Sequence, residues 1–246
     1  MLKVRADLHL HTCLSPCAEI DMTPREIVAE SLKKKLDLIA VTDHNSAENV
    51  EATQRAAKGT GLVVFAGMEI ASAEEVHLLA LFASPDRARA LQCIVQECLP
   101  VGENDERLYG DQIIVNEDNE VMGFNRRLLI AATSITVRTL VDLVRSLGGI
   151  SMASHIDRQS FSVLSQLGFI PQDLRFDALE ISPRIQREAA EAAFPELRSF
   201  PWVSFSDAHR LTEIGARVTT FAVKEPTLEE IRQALISPGG SRLSWD

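Results

Sequence analysis

Six histidines are the whole imidazole supply of this 246-residue chain, and five of them stand just after an apolar run. His9 and His11 follow residues 4–8, His44 follows 38–42, His155 follows 150–154 and His209 follows 202–206. His9 and His11 are two residues apart, which on a strand puts both side chains on one face, where they can grip a single cation. One strand-end histidine ordinarily does no more than satisfy a backbone carbonyl. Five of them, beside Asp7, Asp43, Glu69 and Asp207, point to convergence on something cationic. His77 differs from the others because it opens its apolar run, 78–82, rather than closing it.

The carboxylates repeat the pattern. Asp43-His44 and Asp207-Ala208-His209 each set an acid beside an imidazole, suited to binding metal or to orienting a ligating histidine. Glu69 ends an apolar run behind Gly67, a residue that allows close approach of neighbouring groups.

These residues need a scaffold of successive strand ends, and the rest of the chain supplies one. Strands are expected at 4–10, 37–42, 62–68, 76–82, 150–154, 177–181, 202–206 and 218–223. Helices are expected at 24–34, 46–58, 86–98 and 136–147, with a last one from Thr227. Thr23-Pro24-Arg25-Glu26 and Thr227-Leu228-Glu229-Glu230 carry helix-start chemistry. The alternation argues for an α/β fold with a parallel sheet or barrel. Its strand ends are where such barrels build their sites. The alternation breaks at about 101–135, where 112–115 and 120–124 flank Asn116-Glu117-Asp118-Asn119 and read as a β-hairpin inserted over one face. No linker or repeat divides the chain, so residues 1–246 are expected to form one barrel domain carrying that insertion.

Composition narrows the partners. With 46% hydrophobic and 24% charged residues the chain has an ordinary globular core and none of the bias of a disordered or fibrous protein. Its apolar runs are far shorter than the ~20 residues of a membrane span, and no signal segment opens it. A cytoplasmic protein without membrane contact is expected. The net charge of −10, with basic residues scattered, disfavours long nucleic acid. Cys13, Cys17, Cys93 and Cys98 read as free thiols or metal ligands, not a disulfide framework.

Asp7-Leu8-His9-Leu10-His11-Thr12, Thr42-Asp43-His44, Gly67-Met68-Glu69, Val76-His77, Ser154-His155 and Ser206-Asp207-Ala208-His209 occur in an order that resembles the polymerase and histidinol phosphatase (PHP) superfamily. The resemblance spans about residues 7–209. It implies a distorted barrel of about seven βα units, TIM-like in form, with a metal cluster at the C-terminal strand ends and hydrolysis of phosphate esters. Carried over, a first metal takes His9, His11, Glu69 and Asp207. Glu69 bridges to a second held by His77 and His155. A third takes His44, His209 and Cys17, where relatives commonly carry His or Asp. Two to three divalent ions are implied, zinc foremost and iron or manganese as alternatives, since a thiolate suits zinc or iron better than magnesium. Against this, Cys17 also reads as a small buried thiol or as one half of a redox pair with Cys13. Glu69, Asp207 and His209 are the catalytic candidates. Arg158, Arg184 and Arg210 are candidates for holding phosphoryl oxygens.

The function expected is hydrolysis of a phosphate monoester of a small molecule or nucleotide. An exonuclease or oligonucleotide phosphodiesterase is a second possibility, and a non-catalytic metal-binding regulatory domain a third, although no ligand is missing. An amidohydrolase would need a bridging strand-end lysine, and none of the chain's lysines is so placed. The insertion, with Tyr109, Phe124, Arg126 and Arg127, stands where it could help choose the substrate.

Overall fold

A computed structural model describes residues 1–237 and 242–245 of the chain. Its strands are β1 (Leu2–Leu10), β2 (Leu38–Val41), β3 (Val63–Ala71), β4 (His77–Phe82), β5 (Ile113–Val115), β6 (Val121–Phe124), β7 (Ile150–Ala153), β8 (Ala178–Glu180), β9 (Trp202–Val203), β10 (Thr219–Val223) and β11 (Leu243–Trp245). Nine of them form one sheet in the order β11-β10-β1-β2-β3-β4-β7-β8-β9. The sheet curls until its edges approach, and Trp245 Nε1 of β11 donates to the carbonyl of Trp202 in β9 at 3.0 Å. The result is a nearly closed, distorted barrel.

The main helices are α1 (Pro24–Lys33), α2 (Val50–Ala56), α3 (Pro85–Glu97), the short α4 (Glu106–Tyr109), α5 (Val137–Ser146), α6 (Val163–Leu167), α7 (Arg187–Ala193) and α8 (Leu228–Leu235). Ile27, Val28, Leu91, Leu140 and Val144 pack outside the sheet against Ile39, Val64, Met68, Leu78 and Ala80. The alternate residues Leu38, Ala40, Phe65, Leu79, Leu81 and Met152 fill the inside, together with Ile231 and Leu235 of α8. Two-residue alternation thus divides each strand between two cores.

The expected parallel order holds for only half of the sheet. Among the described residues β3–β4, β4–β7, β1–β10 and β10–β11 pair antiparallel, and β1–β2, β2–β3, β7–β8 and β8–β9 pair parallel. Residues 72–76 join β3 to β4, too few for a crossover helix, so the chain must turn back on itself. Two elements are shorter than expected. The helix read at 46–58 begins only at Val50, and the strand read at 202–206 keeps its ladder only over Trp202–Val203.

β1 carries an irregularity that matters for the site. Val4, Ala6 and Leu8 belong to the inner core but Leu10 to the outer one. The pairing of β1 with β2 shifts register between Asp7 and Leu10. A bulge there reverses the alternation, so His9 and His11 join Leu8 on the inner side.

The insertion forms a separate two-stranded hairpin, β5–β6. Ile113 N–H donates to the Cys13 carbonyl at 3.0 Å, and Asn49 clamps the hairpin by donating to the Ile113 carbonyl and accepting from Val115 N–H. The hairpin therefore lies against the loop that follows β1.

Candidate metal centre

All six histidines meet at one end of the barrel. Ring centroids place His11 4.2 Å from His209 and 4.6 Å from His44, His9 5.3 Å from His11, His44 5.4 Å from His77, and His77 5.5 Å from His155. Glu69 lies in their midst, and its two oxygens divide them. Oε1 faces His77 Nδ1 at 3.1 Å, His155 Nε2 at 3.3 Å and His9 Nε2 at 3.4 Å. Oε2 faces His44 Nδ1 at 3.2 Å and His11 Nε2 at 3.5 Å. Asp207 Oδ1 lies 3.2 Å from His9 Nε2 and 3.4 Å from His11 Nε2.

Local structure accounts for each placement. The antiparallel course of β4 pairs His77 with Ala71, the last residue of β3, so a histidine that opens its strand arrives where its neighbours close theirs. His155 and Asp207 leave their strands with φ of 30° and 52°. For non-glycine residues this conformation costs on the order of 1–3 kcal/mol and must be held by its surroundings. The His155 N–H donates to Glu180 Oε2 at 3.0 Å; at the β1 end the His11 N–H donates to the Ala208 carbonyl at 3.0 Å and the Ala208 N–H to the His9 carbonyl at 3.3 Å.

Hydrogen bonds also set the tautomers. His9 Nδ1 donates to the Glu180 carboxylate, 3.0 Å from either oxygen. His11 Nδ1 donates to Ser15 Oγ at 2.9 Å, because that hydroxyl gives its own proton to Asp43 at 2.7 Å. His209 Nδ1 donates to the Asp207 carbonyl at 2.9 Å. In each ring the Nε2 lone pair is left for a cation.

The donor set fits divalent metal. His9 Nε2, His11 Nε2, His77 Nδ1 and Glu69 Oε1 are buried and have no hydrogen-bond partner among the described residues. Leaving such atoms unpaired is costly, and a cation would satisfy them together. Three groups bring their donor atoms within 4.8 Å of one another: His9, His11 and Glu69; His44, Glu69 and His77; and His11, His44 and His209. Imidazole and carboxylate suit zinc, iron or manganese. Burial, reinforced by the charge of His209, pushes His11 down to about 4, and burial with His11 beside it holds His44 well below its ordinary value. Both are thus neutral and able to ligate. Burial opposes ionisation of Glu69, yet His77 and His9 outweigh it and keep the carboxyl ionised.

Cys17 is exposed and falls outside these three groups. That exposure contradicts the reading of Cys17 as a small buried thiol, and Cys17 and Cys13 are both free thiols. Arg158 reaches the centre, its Nη2 2.5 Å from Asp207 Oδ2. Arg184 is exposed, and Arg210 is turned to Glu19 at 3.0 Å with 61% of its side chain exposed. Neither is ion-paired to the cluster. Sequence reasoning missed the roles of Glu180 and Ser15. Glu180 had the same signal as Glu69, an acid closing an apolar strand.

Buried imidazoles around a shared carboxylate at the mouth of a distorted barrel define a metal-binding α/β domain. The model of the PHP domain matches residues 7–169, and that of the PHP-associated region matches 187–237. The chain belongs to the PHP family. It is 31% identical over 96 residues to an uncharacterized protein of Methanocaldococcus jannaschii, an alignment covering 36% of this chain and 56% of that one. Among solved structures it is similar to the lesion-specific endonuclease Q of Pyrococcus furiosus, with a TM-score of 0.74 at 19% identity over 98% of this chain and 58% of that one. It is similar also to endonuclease Q in complex with a 27-mer duplex bearing an abasic lesion at the active site (TM-score 0.72, 20% identity, 97% and 58% covered). A Bifidobacterium adolescentis protein provisionally designated a metal-dependent phosphoesterase gives a TM-score of 0.58 at 19% identity, with 83% and 87% covered. The chain spans little more than half the length of the first relatives, and likeness at these identities establishes the fold.

Proposed function

We propose that this chain is a metal-dependent hydrolase of phosphate esters, acting on the monoester of a small molecule or nucleotide. The observation that carries this reading is the convergence of five histidines on Glu69, with His9 and His11 both against Asp207 Oδ1 and His77 and His155 both against Glu69 Oε1, which suits a carboxylate shared between cations. His9, His11, Glu69 and Asp207 would hold one ion, and Glu69, His77 and His155 a second. For a third, His44 and His209 would be donors; Cys17 falls outside the three groups whose donor atoms converge, and His11 Nε2 is already committed to the first ion. Bound there, divalent ions would supply Lewis acidity toward the phosphoryl group and lower the pKa of an attacking water.

The chain's own residues do the rest. Glu180, Ser15 and the Asp207 carbonyl hold three imidazoles with Nε2 inward, so no reorganisation is needed when a ligand arrives. Arg158 stands over Asp207 with its Nε buried and unpartnered, ready to take a phosphoryl oxygen. His209 is partly exposed at the mouth, where it would hold an ion on the side from which substrate arrives.

A second function, cleavage of a phosphodiester in an oligonucleotide, is favoured by one observation. The structure that aligns over 97% of this chain is of an endonuclease with duplex at its active site. The net charge of −10 weighs against a long duplex for this chain.

Zinc-, iron- or manganese-loaded protein assayed with 4-nitrophenyl phosphate and bis(4-nitrophenyl) phosphate tests both. Preferential turnover of the monoester, abolished by Asp207→Ala, is the expected result. Preference for the diester would move the assignment to the nuclease. Metal-loaded protein inert to both would favour a non-catalytic metal-binding domain.

A further inference from the structure

Phe161 lies beside the centre and has no part in it so far. Its ring stacks on His77, centroids 4.8 Å apart and planes 21° from parallel, yet the residue is 44% exposed. One face is thus applied to a histidine of the cluster and the other side is open. The backbone is pinned: the Phe161 carbonyl accepts from His77 N–H at 2.9 Å, and Ser162 caps α6 while its hydroxyl donates to the Arg158 carbonyl at 2.8 Å. Phe161 has φ of 60°, where glycine would be unstrained and a side chain is not. The chain therefore carries an aromatic ring here at a conformational cost, three residues from the arginine that faces Asp207.

We propose that Phe161 is a substrate-contacting platform, on which a flat ring attached to the phosphate stacks while Arg158 holds the phosphoryl oxygens. This rests on the phosphate-ester reading above and narrows it to esters whose organic part carries an aromatic ring or base. Base–aromatic stacking of this kind changes affinity by roughly 5- to 100-fold.

Two non-hydrolysable probes test it, benzylphosphonate and propylphosphonate, titrated calorimetrically into zinc-loaded protein whose metal content is checked for every variant. Wild type should bind benzylphosphonate roughly 5- to 100-fold more tightly. Phe161→Ala, and Phe161→Leu should the alanine variant fold poorly, should abolish that preference with propylphosphonate affinity unchanged, and Phe161→Trp should restore it. The 5′-phosphonate analogue of adenosine 5′-monophosphate distinguishes a nucleobase from a simple aryl group, and dependence on Phe161 for either supports the platform. An unchanged preference in Phe161→Ala, or equal weakening of both probes, would overturn it and leave Phe161 as packing for His77. Failure of wild type to bind either phosphonate would overturn the phosphate-site reading, and the platform with it.

Discussion

Glu180 holds His9 by Nδ1, 3.0 Å from each carboxylate oxygen, and through the His155 N–H it holds the next histidine's backbone as well. An anionic partner on the far nitrogen fixes the ring and makes Nε2 a better donor. Glu180→Gln keeps the shape and removes the charge. Zinc affinity, read by competition with a chromophoric chelator, should fall about 10- to 100-fold, with little change in the unfolding midpoint of the metal-free protein. Unchanged affinity would mean that packing alone orients His9.

Gly67 permits Glu69 to sit where it does. A methyl group there would meet Thr42 Cγ2 at 2.7 Å, the Val41 carbonyl at 2.9 Å and the Ala80 carbonyl at 3.1 Å. Two of these three are backbone in neighbouring strands, which cannot swing aside. Gly67→Ala should cost about 1–3 kcal/mol in denaturant unfolding and reduce bound metal, since β3 must shift and carry Glu69 with it. A variant as stable as wild type would show that the barrel yields more easily than its burial suggests.

Much of this was legible in the residues. Strand-end placement found five histidines because a parallel strand delivers its last residues to one rim. The sixth was found only through resemblance, because the sense of β4 depends on the tight connection at 72–76. The pairing of His9 with His11 on one face was readable, but which face was not. The alternation of Val4, Ala6 and Leu8 by itself would send both histidines outward, and the bulge that reverses it leaves no mark in composition. Asp7 looked like a possible ligand for the same reason. It accepts instead from Ser206 N–H and Oγ and from Gly215 N–H, bracing the loop that carries Asp207. Arginines were the least readable, since a guanidinium on a long stem reaches the site or the solvent according to loop geometry that sequence does not encode locally.

The third ion can be assigned by counting metal. With His44 and His209 among its donors, His44→Ala should lose about one ion per chain by elemental mass spectrometry, and Cys17→Ala should keep the wild-type content. The Cys17 thiol is exposed and stands outside the groups whose donor atoms converge. Loss of an ion in Cys17→Ala would return the thiol to the donor set.

Arg158 is the one candidate arginine whose charge meets the centre, through Asp207 Oδ2 at 2.5 Å. A hydrogen bond to a charged group contributes about 1.5–3 kcal/mol. If Arg158 binds the phosphoryl group as well as steadying Asp207, Arg158→Ala should lower kcat/KM on the preferred ester about 10- to 100-fold with metal content intact. Arg158→Lys should recover only part, because an ammonium cannot span two oxygens as a guanidinium does. Arg184→Ala and Arg210→Ala should stay near wild type, since one side chain is exposed and the other is turned to Glu19. Should Arg158→Ala instead lose metal along with activity, its role would be to hold Asp207 in place, and the phosphoryl group would have to be met by a different cation.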